Sequence, residues 1–163
     1  MIASNVSLRP ATADDEAFLR KLFTSTRIDE FKFLADPGQL DALISMQFNL
    51  QRQQYAAGYP DADHNIILQD GQPIGRLFVN EGEREFTLVD VALLPECRNR
   101  GIGRYLLDQL LAKARIAEKA VRLHVVKMNP ARHLYERLGF SIIGEDGLYF
   151  EMICEAGTRA RKD

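Results

Sequence analysis

Residues 98–104 read Arg98, Asn99, Arg100, Gly101, Ile102, Gly103 and Arg104, a basic run punctuated by two glycines. Its chemistry is that of gripping an anion. An apolar run from Phe86 to Leu94 precedes it and a helical repeat follows. The order is therefore strand, basic glycine turn, helix. The opening turn of a helix carries four backbone N–H groups without intrahelical partners, and the macrodipole adds about half a positive charge there. Gly101 and Gly103 lack side chains, so these N–H groups can come close to the oxygens of a pyrophosphate.

A second segment, Asn129-Pro130-Ala131-Arg132-His133-Leu134-Tyr135-Glu136-Arg137-Leu138-Gly139-Phe140, follows about thirty residues later. Together the two segments resemble the GNAT superfamily of acetyl-CoA-dependent N-acetyltransferases. Arg98, Gly101 and Gly103 match the family's Gln/Arg-x-x-Gly-x-Gly/Ala cofactor loop. Asn129, the Leu134-Tyr135 pair and Gly139-Phe140 match its later motif. The resemblance is specific over roughly residues 65–152 and architectural before that. It implies acetyl-CoA as cosubstrate and direct attack by a primary amine in a ternary complex. It also implies a cofactor site built from Leu93, Arg98, Asn99, Arg100, Gly101, Ile102, Gly103, Arg104 and Asn129. Within that site the backbone N–H of Leu93 is expected near the acetyl carbonyl.

Amide formation from a thioester needs a deprotonated amine, a polarised carbonyl and a proton for the departing thiolate. Tyr135 is the candidate general acid, because a phenol with a pKa near 10 is protonated at neutral pH. Its place in a stripe with Leu134 and Leu138 also suits a packed aromatic. Asn129, at a strand-to-helix junction, can cap the helix whether or not it also meets the cofactor. Strict alternation along residues 86–92 would put Asp90 on one face with Phe86, Leu88 and Ala92. A carboxylate among apolar groups there could take a proton from an ammonium, directly or through water. A β-bulge would shift that register. Glu85 is the second choice of base. His124 and His133 find no companions that would make a metal or nucleophile site and read as structural. Cys97 lies beside the phosphate loop but without a partnered base.

The elements that must position these residues follow from the periodicity. Thr12 reads as an N-cap, with a helix to about Thr24 through Phe18, Leu19, Leu22 and Phe23. A break is expected at Pro37-Gly38, then a second helix from Gln39 to about Ala57 with a glutamine-rich far end. Asn65–Gln69 and Pro73–Val79 flank Asp70-Gly71 as a hairpin, and Glu85–Leu94 is the next strand. A helix through Ile102, Leu106, Leu110 and Ala114 comes next, then a strand over Val121–Val126. A short helix ended by Gly139 and a final hairpin around Glu145-Asp146-Gly147 complete the pattern. This mixture predicts an α/β (α+β mixed) fold. The resemblance specifies a mixed, mostly antiparallel sheet with helices on both faces and one splayed parallel strand pair. Residues 1–154 are expected to form a single domain, with 155–163 a frayed tail.

Composition sets the outer bounds. The chain has 163 residues with 46% hydrophobic and 27% charged side chains, ordinary values for one globular domain. Residues 28–90 hold 11 Asp/Glu against 4 Lys/Arg, whereas residues 91–137 hold 4 against 10. Opposite fields of this kind suit an anionic cofactor and a cationic acceptor. An isoelectric point near 5.9 without a basic recognition helix argues against nucleic-acid binding. The absence of a long apolar run argues against a membrane partner. Two isolated cysteines and no secretory pattern point to the cytoplasm and to no metal site. The acceptor is expected to be a small molecule or a peptide, contacted by Phe31, Phe33, Tyr55 and Tyr59, and a homodimer is left open. The rival reading is a non-catalytic acyl-CoA-binding sensor or interaction module, which would not need Tyr135.

Overall fold

A computed structural model describes residues 5–28 and 36–158. Strand β1 (Val6–Pro10) opens it, an element too short and too exposed to announce itself by pattern. A 3-10 turn at Ala13–Asp15 leads into α1 (Glu16–Arg27), one turn longer than the sequence suggested. The Thr12 hydroxyl accepts from Asp14 N–H, and the Asp15 carboxylate accepts from Thr12 N–H at 2.8 Å, so the expected cap is a reciprocal capping box. Helix α2 spans Pro37–Gly58. The helix therefore starts two residues before the expected Gln39, within the expected break at Pro37-Gly38. Pro37 occupies the first helical position, where its missing N–H is not needed, and Asp36 Oδ1 accepts from Gly38 N–H at 2.9 Å. Phe31 and Phe33 lie outside the described residues.

Then come β2 (Asp63–Gln69), β3 (Gln72–Glu81), β4 (Glu85–Leu93), α3 (Ile102–Ile116), β5 (Ala120–Val126), α4 (Ala131–Arg137), β6 (Ser141–Glu145) and β7 (Tyr149–Cys154). Asp70 and Gly71, at φ 52° and 79°, make the tight turn between β2 and β3. The strands form one sheet in the order β1-β2-β3-β4-β5-β7-β6. All neighbours are antiparallel except β4 and β5.

Two irregularities of β4 govern the site. Phe78 faces Asp90 while Val79 faces Leu88, so Val89 is an extra residue and β4 is bulged there. The parallel pairing with β5 runs only from Glu85↔Ala120 to Leu88↔Leu123. Beyond Leu88 the two strands part, as the resemblance implied. Register also assigns faces. His64, Phe78 and Asp90 are laterally aligned on one side, together with Ile66, Arg76 and Ala92. Leu77, Val79, Leu88 and Phe86 lie on the other. Helix α2 covers the first face, with Tyr55 5.3 Å from Phe78. Helix α3 covers the second, with Lys113 Nζ 5.6 Å from the Phe86 ring centre.

The main core joins Phe86, Leu88, Val121 and Leu123 of the sheet to Ile102, Leu106, Leu107 and Leu111 of α3. Burying each such side chain is worth about 1.5–3 kcal/mol. A smaller cluster of Phe23, Ile44 and Phe48 fastens α1 to α2.

Candidate active site

The site begins where β4 ends. Gly75 opposes Leu93, and Leu94 N–H donates to the Ile74 carbonyl at 2.8 Å. Backbone groups of successive strand residues point to opposite edges, so the Leu93 N–H and C=O point away from β3. That edge is the one from which β5 has parted. The close approach requires glycine at 75, since a Cβ there would sit 2.2 Å from the Ala92 carbonyl oxygen.

Arg98 Nε donates to the Leu93 carbonyl at 3.0 Å, which ties the basic turn to the end of the strand. Asn99 and Gly101 take positive φ (59° and 81°), the left-handed conformations that fold successive N–H groups into an anion-binding concavity. Gly101 is the N-cap of α3, and Ile102 beneath it is wholly buried. Ile102 therefore contributes by anchoring the turn in the core. Apart from its chain neighbours and its own helix backbone, no described atom lies within 4 Å of a Cβ built on Gly103, so the helix start is open on that side. Arg98 and Arg100 are exposed around it. An open, cationic helix start beside a parted strand pair fits a pyrophosphate carrying an extended arm.

Tyr135, on α4, is 7% exposed and packs edge-on against Phe140 with ring centres 5.8 Å apart. Burial, and then the negative charge of Asp90, push its phenol well above the ordinary range. The hydroxyl stays protonated throughout the neutral range. Asn129 Oδ1 accepts from Ala131 N–H at 2.9 Å, so its capping role is present in the fold.

Asp90 departs from the strict-alternation expectation. The bulge at Val89 turns it off the face of Phe86 and Leu88 and onto that of Phe78 and Arg76. Its Oδ2 accepts from Arg76 Nε at 2.7 Å, and Arg76 Nη2 donates to Gln51 Oε1 of α2 at 2.7 Å. Arg76 is only 6% exposed, and its guanidinium carbon lies 5.5 Å from the centre of the Tyr55 ring. Asp90 is thus half of a partly buried ion pair rather than a carboxylate among apolar groups. Glu85, the second choice, is bonded to Arg122 at 2.9 Å. His124 and His133 are exposed, and Cys97 is buried in the core. Among the described residues no group of His, Cys, Asp and Glu could hold a metal.

Against this wall lies a cavity of about 550 Å³ between α2, the start of α1 and the sheet. Tyr55, Tyr59, His64, Arg76 and Phe78 are among the residues that line it. Tyr55 and Tyr59, expected to contact the acceptor, both line it. Arg76, Gln51 and His64 were missed. Arg76 had a signal, being the lone charge in the otherwise apolar run Pro73–Val79, and Gln51 belonged to a conspicuous glutamine cluster. His64 had none.

A mixed sheet with one parted parallel pair, a cationic helix start after β4 and a buried phenol on α4 match the fold and site expected of an acyl-CoA-dependent transferase. A family model described as an acetyltransferase (GNAT) domain matches residues 60–142. The chain belongs to this family, whose members use acetyl-CoA as cosubstrate. A curated relative, the ribosomal protein bS18-alanine N-acetyltransferase of Haemophilus influenzae, is 35% identical over 78 residues. That match covers 46% of this chain and 52% of the relative, so the chain spans about half the length of that protein. The PaiA N-acetyltransferase of Thermoplasma acidophilum, solved with coenzyme A, superposes with a TM-score of 0.70 at 18% identity, covering 92% of this chain and 98% of that one. The spermidine/spermine N-acetyltransferase of Vibrio cholerae superposes with a TM-score of 0.61 at 20% identity, covering 96% and 95%. No described helix is long and apolar enough to cross a membrane.

Proposed function

We propose that this chain transfers an acetyl group from acetyl-CoA to a primary amine by direct attack. The observation that carries the reading is the parting of β4 and β5 after Leu88, with the unpaired edge of Leu93 on β4 and a buried, protonated Tyr135 that feels the charge of Asp90 on the same strand. Acetyl-CoA, when bound, supplies an acetyl thioester. The backbone N–H groups at Gly101–Arg104, with Arg98 and Arg100, hold its pyrophosphate, and Asn129 contacts the arm. The Leu93 N–H donates to the acetyl carbonyl. A preorganised donor of this type costs no reorganisation during reaction.

Tyr135 holds the proton that the departing thiolate takes. Its raised pKa keeps it loaded, although a phenol above 10 is a weaker acid than a thiol near 8.5. Proton transfer therefore accompanies bond cleavage instead of preceding it. Asp90 receives the amine's proton, directly or through water. Both Arg76 contacts fall on Oδ2, which leaves the lone pairs of Oδ1 uncommitted to Arg76.

The test is thiol release from acetyl-CoA by the purified protein against a panel of amines: spermidine, amino acids, arylalkylamines and a peptide with N-terminal alanine. Amine-dependent release is the expected result. Tight acetyl-CoA binding without release by any acceptor would overturn the catalytic reading in favour of a sensor.

A further inference from the structure

Arg76 does not stand directly across the ladder from Asp90. It pairs with Ala92, and Asp90 pairs with Phe78, so the two charges are diagonal neighbours. Such neighbours are about 7–8 Å apart in the backbone, a gap that only a long side chain crosses. An arginine reaching that far has many rotamers to choose from, and a carboxylate alone does not select one. Something must hold the guanidinium from its other side.

Helix α2 supplies that restraint from its glutamine-rich end. Gln51 Oε1 accepts from Arg76 Nη2 at 2.7 Å, and the Tyr55 ring centre lies 5.5 Å from the guanidinium carbon. Positions 51 and 55 are one helical turn apart and share a face of α2. Nη2 also stands 2.6 Å from Asp90 Oδ2, so its two N–H groups can serve the carboxylate and the amide at once. Nε donates to the same Oδ2 at 2.7 Å. The guanidinium cannot turn or slide without breaking one of these contacts. Since they meet Asp90 only at Oδ2, the direction of Oδ1 is set by where α2 holds Arg76.

We infer that Gln51 is a positioning residue for the base. With Tyr55 it clamps Arg76, and Arg76 in turn holds Asp90 so that Oδ1 is presented to the amine. The inference rests on the reading of Asp90 as proton acceptor for its effect on turnover, but not for the clamp itself.

The experiment uses Gln51→Leu, which removes the acceptor oxygen and keeps a good helix former. The amine is whichever member of the panel above the parent turns over fastest. In thiol release kcat should fall about 10-fold or more, since a misplacement of about 1 Å can cost 10²-fold. The KM for acetyl-CoA should stay the same, which a general loosening of the fold would not spare. In an Asp90→Asn background the same substitution should cost about twofold or less, because its effect runs through the carboxylate. A loss that repeats in full there overturns the inference. A second readout needs no amine. The bond to Asp90 shields Arg76 Nε–H from water, and its exchange, followed by NMR on arginine-labelled protein, should speed up about 10-fold in Gln51→Leu. Unchanged exchange overturns the clamp. Faster exchange with unchanged kcat overturns the positioning role. Failure of the parent to turn over any amine overturns the catalytic reading and the positioning role with it, and faster exchange then upholds the clamp alone.

Discussion

Arg76 Nε stands 2.7 Å from Asp90 Oδ2 because one extra residue, Val89, turns Asp90 onto the face that carries Arg76. Without the bulge Asp90 would enter the α3 side of the sheet among Phe86 and Leu88, and Arg76 would have no carboxylate beside it. The pair links the cavity beneath α2, which Arg76 lines, to Tyr135, whose phenol feels the charge of Asp90.

Removing one member of this pair should be costly and removing both less so. Arg76→Met should lower stability by about 2–4 kcal/mol, since it strands a partly buried carboxylate. Adding Asp90→Asn should recover part of that loss, and a double-mutant cycle in urea measures the coupling. In activity assays Asp90→Asn should reduce kcat/KM by roughly 10²–10⁴-fold. Unchanged kinetics would remove Asp90 as the base.

The two glycines of the phosphate turn should separate fold from binding. Gly101 has φ 81°, so Gly101→Ala should destabilise the protein by about 1–2 kcal/mol. Gly103 is helical with open space at its Cβ, so Gly103→Ala should leave stability equal or up to about 1 kcal/mol higher. Acetyl-CoA at ~100 times its dissociation constant should stabilise the parent by about 2.7 kcal/mol. Gly101→Glu should abolish that shift, and an undiminished shift would remove the turn from the cofactor site.

Tyr135→Phe keeps the ring that packs on Phe140 and deletes the proton donor. Thermal midpoint and acetyl-CoA affinity should change little. Turnover should fall by up to ~10²–10⁴-fold where chemistry limits the rate, and least where water can protonate the thiolate. Equal rates would leave Tyr135 as a packing residue.

Gly75→Ala places a methyl against the Ala92 carbonyl and must push β3 from β4. A loss of roughly 2–3 kcal/mol or more is expected, together with lower activity, because Leu93 shares that register. Denaturant midpoints together with thiol release check both.

His64 sets an acid limit on stability. Its folded-state pKa of about 4 lies below the ordinary 6.5, so between these values the unfolded chain binds more protons. The contribution is complete above pH 6.5 and is lost as pH falls toward 4. Allowing for the ring's partial contact with solvent, the loss is about 2 kcal/mol. His64→Phe should flatten the stability profile in that window and nowhere above it. An unchanged slope between pH 6.5 and 4 would mean that His64 does not carry it.

Sequence alone determined the elements whose signals are local. Thr12 and Asp15 cap a helix, Asp70-Gly71 turns a hairpin, and Gly101 and Gly139 supply left-handed residues at φ 81° and 105°. The family motif placed Arg98, Gly101, Asn129 and Tyr135 on the right elements for the same reason, since each depends on neighbours within a few residues. The pattern puts the start of α2 two residues late, because Pro37-Gly38 looks like a break until Asp36 is seen to cap it. Tertiary structure decided the rest. The face of Asp90 depends on one extra residue in a ladder with β3, and nothing within β4 announces a bulge. Arg76 meets Gln51, 25 positions earlier, only because α2 folds over that face. The unpartnered nitrogen of His64 exists only after burial, so no pattern of residue types could have revealed it.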